Sequence, residues 1–151
     1  MHKQKKYLLW LIITLLVSTF HRPGFAQDVS TSGGEIIIVH PANPTKTLTL
    51  NQARTIFSMR ARQWPNGTPI TVVVLNDQSP IHKAFLRNVL RILPHQLRRN
   101  WDRYIYAGIG QGPMVVDDPL EMIEMVEKIP GAIGYIEKGV PHEQVLTLTI
   151  R

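Results

Sequence analysis

The chain has 151 residues, with 17 Lys or Arg against 11 Asp or Glu and no cysteine. That length supports one domain with one core, and the missing thiols exclude a disulfide framework and cysteine catalysis while fitting an exported protein that relies on its core. The formal charge of +6 is no nucleic-acid signature, because Lys3, Lys5, Lys6 and Arg22 sit at the start and the remainder carries only +2.

Those early cations flank an uncharged apolar run from Tyr7 to Phe20, followed by Gly24-Phe25-Ala26. A basic start, an apolar centre and small residues at the cleavage positions form the pattern of a secretory signal peptide over residues 1–26. The apolar run, about 14 residues, is short of the roughly 20 that span a bilayer. Export without another long apolar stretch points to the periplasm. Residues 27–34 (QDVSTSGG) are small and polar and read as a disordered leader. The folded domain is expected over 35–151.

Glu35 to His40 (EIIIVH) reads as a strand buried on both faces, stopped by Pro41 and Pro44, which cannot feed a ladder. Thr49 with Gln52 three residues on is a capping box. It opens a helix through Phe57 with Leu50, Ala53, Ile56 and Phe57 on one face. Arg60 to Gly67 (RARQWPNG) is a basic loop ending in a turn signal, with Trp64 as a plug over the core edge. Ile70 to Val74 is the next strand. Asn76, Asp77 and Gln78 then make a polar turn, and Ser79-Pro80 opens a helix. The serine hydroxyl caps a first-turn amide, and proline suits a position without an intrahelical N–H partner. Ile81, Phe85, Val89 and Ile92 are expected to face inward.

Pro94 starts another helix with Leu97, Trp101, Tyr104 and Ile105 as its stripe and Gly108 as its stop. The connector GIGQGP forms no dinucleotide loop, since no strand leads into it and no helix opens from it. A short strand follows at Met114 to Val116. Asp118-Pro119-Leu120-Glu121 is a second capping box, for a helix through Lys128 with Leu120, Ile123, Met125, Val126 and Ile129 as apolar contacts. Ala132 to Ile136 (AIGYI) is a strand in which Gly134 marks a close approach. Val145 to Ile150 alternates as a half-exposed strand near a sheet edge. Strands alternating with helices predict an α/β domain whose sheet, of about five strands, is mainly parallel.

The chemistry-bearing residues do not assemble into an enzyme. Ser79 lies on no G-x-S-x-G elbow. His40, His82, His95 and His142 lack metal-ligand spacing and read as surface or strand-end residues. Capping accounts for two of Asp117, Asp118 and Glu121, so neither metal nor cofactor is expected. Charge is the distinctive feature: between Arg54 and Arg103 nine Lys or Arg face only Asp77 and Asp102. A strand feeding a helix N-terminus through a polar turn is where α/β proteins place anions. Either these cations are solvated helix faces and Ser79 only a cap, or their field draws a small anion or an acidic partner to the turn.

Three stretches, in order, resemble the periplasmic phosphate-binding proteins of ABC importers. Leu48 to Trp64 (LTLNQARTIFSMRARQW) is similar to that family's helix ending in Ile-Phe and its basic Trp loop. Val73 to Phe85 is similar to its strand-turn-helix ligand segment, Arg-Ser-Asp-Gly-Ser-Gly-Thr followed by Phe. Gly131 to Ile136 (GAIGYI) is similar to its late Gly-Tyr strand. The resemblance implies one three-layer lobe of the type 2 periplasmic-binding-protein fold, where the family has two. It implies an exported, non-catalytic domain that binds phosphate or another small oxyanion in ABC-type phosphate transport, with a permease or other periplasmic or membrane protein as partner.

Asp77 and Ser79 match the family's ligand-contacting Asp and Ser, while Leu75 stands at its Arg, Pro80 at its Gly and Ile81 at its Thr. The implied ligand set is Asn76, Asp77, Ser79, and the amides of Ile81 and His82, with Arg60 or Arg62 replacing the missing arginine. Its loss removes a bidentate, charge-assisted contact to an oxyanion, and Asp77 repels an anion unless a cation joins it. The alternative is a periplasmic protein-interaction module that kept the lobe, lost the ligand and shows its basic face to an acidic partner. Export argues against nucleic acid.

Overall fold

The computed structural model describes residues 34–151, which lie within one compact unit, Ser32–Arg151. The expected signal peptide, and the leader apart from Gly34, fall outside the described residues. The elements in chain order are β1 (Glu35–Val39), β2 (Thr47–Leu48), α1 (Leu50–Phe57), β3 (Thr71–Leu75), α2 (Pro80–Phe85), α3 (Pro94–Tyr106), β4 (Met114–Val116), α4 (Pro119–Lys128), β5 (Ala132–Glu137) and β6 (Leu146–Ile150). Among the described residues no helix is long and apolar enough to cross a membrane.

The sheet is six-stranded, in the order β2-β6-β1-β5-β3-β4. β3 runs parallel to β4 and β5, and β2 parallel to β6. β1 runs antiparallel to both its neighbours, with Ile37 opposite Tyr135 on one side and Leu148 on the other. Three of the five pairings are therefore parallel, and the strand beyond the expected five is the two-residue β2. The continuous apolar run of β1 suits a central strand in either direction, so its sequence carries no sign of the reversal.

Helices cover both faces. On β5, a methyl at Gly134 would collide with Met122 Sδ and sit 3.1 Å from Val126 Cγ2, so this face lies hard against α4. One residue on, the strand pleat turns Tyr135 to the opposite face. There its ring stacks on Phe85 of α2 with centroids 3.8 Å apart and meets Phe57 of α1 edge-on at 6.0 Å. Each such buried ring contributes roughly 1.5–3 kcal/mol. Trp64 closes the core edge, its indole N–H donating to the Gly131 carbonyl at 2.9 Å.

The Thr49–Gln52 capping box forms in full, whereas at Asp118 only the N-cap half forms, because Glu121 Oε2 accepts the N–H of Asp117 at 2.9 Å and not that of Asp118. Thr49 Oγ1 accepts the Gln52 N–H at 3.2 Å while Gln52 Oε1 accepts the Thr49 N–H at 2.8 Å. Asp118 Oδ1 accepts the N–H groups of Leu120 and Glu121 at 2.8 and 3.0 Å. The helix stripes depart from expectation at three places. α2 continues as a π-helical turn over Leu86–Leu90; His82, Phe85 and Leu86 share one buried face at ordinary helical spacing, and the wider turn carries that face on to Leu90 in place of Val89, leaving Ile81, Val89 and Ile92 at the core margin. Arg91, at φ 53°, ends it, and Arg54 Nε donates to the Leu90 carbonyl at 2.7 Å, where a cation suits a helix C-terminus. α4 buries Met122, Ile123 and Val126 but leaves Leu120, in its first turn, exposed. α3 leaves the core after Trp101, whose indole N–H donates to the Phe57 carbonyl at 2.8 Å, so Ile105 is exposed.

Candidate anion site at the turn after β3

β3 delivers its C-terminal end to a turn whose backbone is held largely by its own side chains. Leu75, where the resemblance places an arginine, is fully buried. Its N–H donates to the Tyr135 hydroxyl at 3.0 Å. Asn76 Oδ1 accepts the N–H groups of Gln78 and Ser79 at 3.1 and 3.0 Å, which closes the turn and occupies two amides. Asn76 Nδ2 donates to Asp117 Oδ1 at 3.3 Å, and its N–H to the Val116 carbonyl at 3.2 Å, tying the turn to the end of β4. Ser79 is the N-cap of α2: its hydroxyl oxygen accepts the His82 N–H at 3.4 Å. Pro80 has no N–H to give. The Ile81 N–H has no acceptor among the described residues, as expected of an early helical amide.

The cation that pairs with Asp77 is Arg98 of α3, while Lys83 Nζ donates to the Gln78 carbonyl of the same turn at 3.2 Å. Arg98 Nε donates to Asp77 Oδ2 at 2.9 Å and its Nη2 to the same oxygen, with both side chains of the pair a little over 40 % exposed. The guanidinium also lies over the Trp101 ring, 5.1 Å from its centroid. Arg98 thus supplies the positive partner that Leu75 cannot, from 21 residues further along the chain. Arg60 and Arg62, the expected substitutes, lie elsewhere. Arg60 Nε donates to Ser58 Oγ at 3.2 Å, and Arg62 sits over the Tyr104 ring, 5.5 Å from its centroid.

His82 is not a surface residue; it is 1 % exposed. The Tyr135 hydroxyl, already accepting the Leu75 N–H, donates its one proton to His82 Nδ1. The imidazole proton therefore sits on Nε2, 3.8 Å from Asp77 Oδ1. Burial pushes the His82 pKa below 6.5, outweighing the upward pull of Asp77, and Arg98 and Lys83 lower it further. Burial also pushes the Tyr135 phenol up, beyond any physiological titration. The neutral imidazole ties the turn to the aromatic core, and the backbone N–H of His82, expected as an anion donor, is already spent on the Ser79 cap.

Of the seven residues expected at the site, Asn76, Asp77, Ser79, Ile81 and His82 converge at this turn, and Arg60 and Arg62 do not. Sequence reading missed Arg98. The signal that pointed to it was the unpaired Asp77, a carboxylate that needed a cation, but nothing local told which of nine would supply it. With Asp77 matched, the Ser79 hydroxyl proton, the Ile81 N–H and the unused N–H groups of Arg98 remain as donors. Donors of these kinds are the ones that hydrogen-bond oxyanions.

Residues 22–149 match the profile of the PBP superfamily domain. A phosphate ABC transporter substrate-binding protein from Clostridium perfringens, solved with bound phosphate, is similar over 78 % of this chain at 25 % identity and a TM-score of 0.63. An ABC-type phosphate transport receptor from Vibrio cholerae is 22 % identical with a TM-score of 0.58, and PstS from Borrelia burgdorferi 18 % with 0.59, each over 78 % of this chain; these two bear on the fold alone. The chain spans 44 %, 46 % and 47 % of the lengths of these three proteins. No curated protein matches it. The relatives named here are binding proteins of transporters, not enzymes. With that profile covering nearly all the described residues, the chain belongs to the PBP superfamily.

Proposed function

We propose that this chain is an exported, non-catalytic binding lobe for a small oxyanion of the phosphate class, serving an ABC-type phosphate transport system through a permease or another periplasmic partner. The pairing of Arg98 with Asp77 beside the Ser79 cap carries the reading. It removes the charge conflict that an unpartnered Asp77 would create and brings a guanidinium fork to the turn. Phosphate binding by the Clostridium relative supports the ligand class. A signal peptide over residues 1–26, cleaved to leave a short polar leader, would place the lobe, residues 35–151, in the periplasm. Because one lobe contacts the anion from one side, affinity is modest until a second surface closes over it.

Thermal unfolding titrated with phosphate, sulfate and molybdate tests this. A ligand at 100 times its dissociation constant adds about 2.7 kcal/mol, which raises the melting point of such a domain by several degrees. No shift with any of the three at millimolar concentration rejects the receptor.

A second reading is favoured by Asn76, whose side chain already fills the Gln78 and Ser79 amides that an oxyanion would use. On this reading the lobe is a periplasmic interaction module that has given up its ligand and docks an acidic protein. A stoichiometric partner recovered from periplasm, together with no anion response, supports it over the first.

A further inference from the structure

We infer a second anion site, distinct from the turn after β3, in the groove between the loop following α1 and the C-terminal half of α3. The ligand class that fits is a phosphate monoester carrying an apolar group, either free or as a lipid headgroup. The groove measures ≈ 490 Å³ and is lined by Ser58, Arg60, Asn100, Arg103, Tyr104 and Ile109. Two guanidinium groups enter it already oriented. Ser58 Oγ accepts from Arg60 Nε at 3.2 Å, and Asn100 Oδ1 accepts from Arg103 Nη2 at 3.0 Å. A third, on Arg62, stands over the Tyr104 ring at 5.5 Å.

What sets these arginines apart is the nature of their partners. Ser58 and Asn100 are neutral acceptors, so they fix the forks without cancelling their charge. Among the described residues none of Arg60, Arg62 and Arg103 makes an ion pair. Ser58 is itself buried and held by donating to the Arg54 carbonyl at 2.6 Å, so the Arg60 fork rests on a fixed post. Preorganised, uncompensated guanidinium groups suit phosphate, which they grip in bidentate fashion.

The rest of the groove is not polar. The Tyr104 ring and Ile109, 48 % exposed, give it an apolar flank. A methyl at Gly110 would lie 2.7 Å from Tyr104 Oη, so the glycine-rich connector backs this ring closely. The groove is larger than a bare tetrahedral anion fills and falls in the size range of pockets for organic ligands. A charged end and an apolar end together select an ester over inorganic phosphate.

Calorimetry with phenyl phosphate and with inorganic phosphate, on the full chain as purified from the cell, tests this. The expected result is phenyl phosphate binding about tenfold more tightly than inorganic phosphate. Arg60→Gln with Arg103→Gln is expected to weaken the ester about tenfold or more, Tyr104→Leu to erase the preference for the ester, and Lys138→Gln to leave ester binding unchanged. If the double substitution unfolds the chain, as circular dichroism would show, the Tyr104→Leu preference decides. Sedimentation with phosphatidic acid vesicles separates the sources: binding that needs Arg60 and Arg103 assigns a lipid headgroup, and no sedimentation assigns a soluble ester. No binding of phenyl phosphate overturns the site. So does equal weakening by Lys138→Gln, which marks unspecific attraction, or loss on Arg98→Gln, which returns the ester to the turn after β3.

Discussion

Arg98 and Arg103 lie on one helix, about a turn and a half apart, and meet opposite partners. Arg98 is held by the Asp77 carboxylate and becomes part of a turn wired to the core through His82 and Tyr135. Arg103 is held by the Asn100 amide and keeps its full charge at the surface. The difference teaches that an excess of nine cations over two anions says little about where the field is strong. The acceptor that positions each guanidinium decides that.

If the Asp77 end is built on the core and the Arg103 end is not, substitutions should separate them. The largest effect is expected at Phe85, which stacks on Tyr135: Phe85→Ala should cost about 3–5 kcal/mol in urea unfolding, while Tyr104→Ala, half-buried on the other groove, should cost about 1 kcal/mol or less. Equal losses would erase the distinction.

Tyr135→Phe comes next. It strands the Leu75 N–H and leaves His82 Nδ1 without its donor, at about 1–3 kcal/mol. The measurement is again the urea midpoint, and a neutral result would mean that water replaces the hydroxyl.

The pH dependence is smaller and sharpens the role of His82. Its folded pKa is lowered below 6.5 by burial, so the unfolded chain binds more protons in that window and stability rises with pH there. The contribution is complete above about pH 6.5 and is lost as pH falls toward the depressed folded value. His82→Gln should flatten the slope of stability between pH 7.5 and 5 relative to the native chain. An unchanged slope would assign the acid sensitivity to carboxylates alone.

Smallest in stability are the two arginines themselves. Arg98→Gln and Arg103→Gln should each change unfolding by about 1 kcal/mol or less, as expected of half-exposed pairs. They should differ in ligand response: the first lowers phosphate affinity at the turn after β3, the second does not.

Much of the fold was legible locally. Thr49 with Gln52, and Asp118 with Glu121, announce helix starts because a cap lies within four residues of what it caps. Gly134 announces a close approach that turned out to be Met122. The reversed direction of β1 was not legible, because an apolar run carries no polarity. Nor was the burial of His82: a stripe through Ile81, Phe85 and Val89 and a stripe through His82, Phe85 and Leu86 both fit helical spacing, and the π-helical turn after Phe85 then carries the second on to Leu90 instead of Val89. At the site, Asn76, Asp77 and Ser79 were legible as a turn and a cap, whereas Arg98 reaches Asp77 from another helix. A long-range ion pair leaves no periodic trace.

A phosphate titration followed by ¹H–¹⁵N NMR, reading the Ile81 amide and the Arg98 Nε–H, addresses the oxyanion-binding turn most directly. The account predicts saturable shifts of both signals, with the Asn76-bound amides of Gln78 and Ser79 moving less. Still signals at Ile81 and Arg98, with shifts confined to Arg60 and Arg103 or absent altogether, would contradict it.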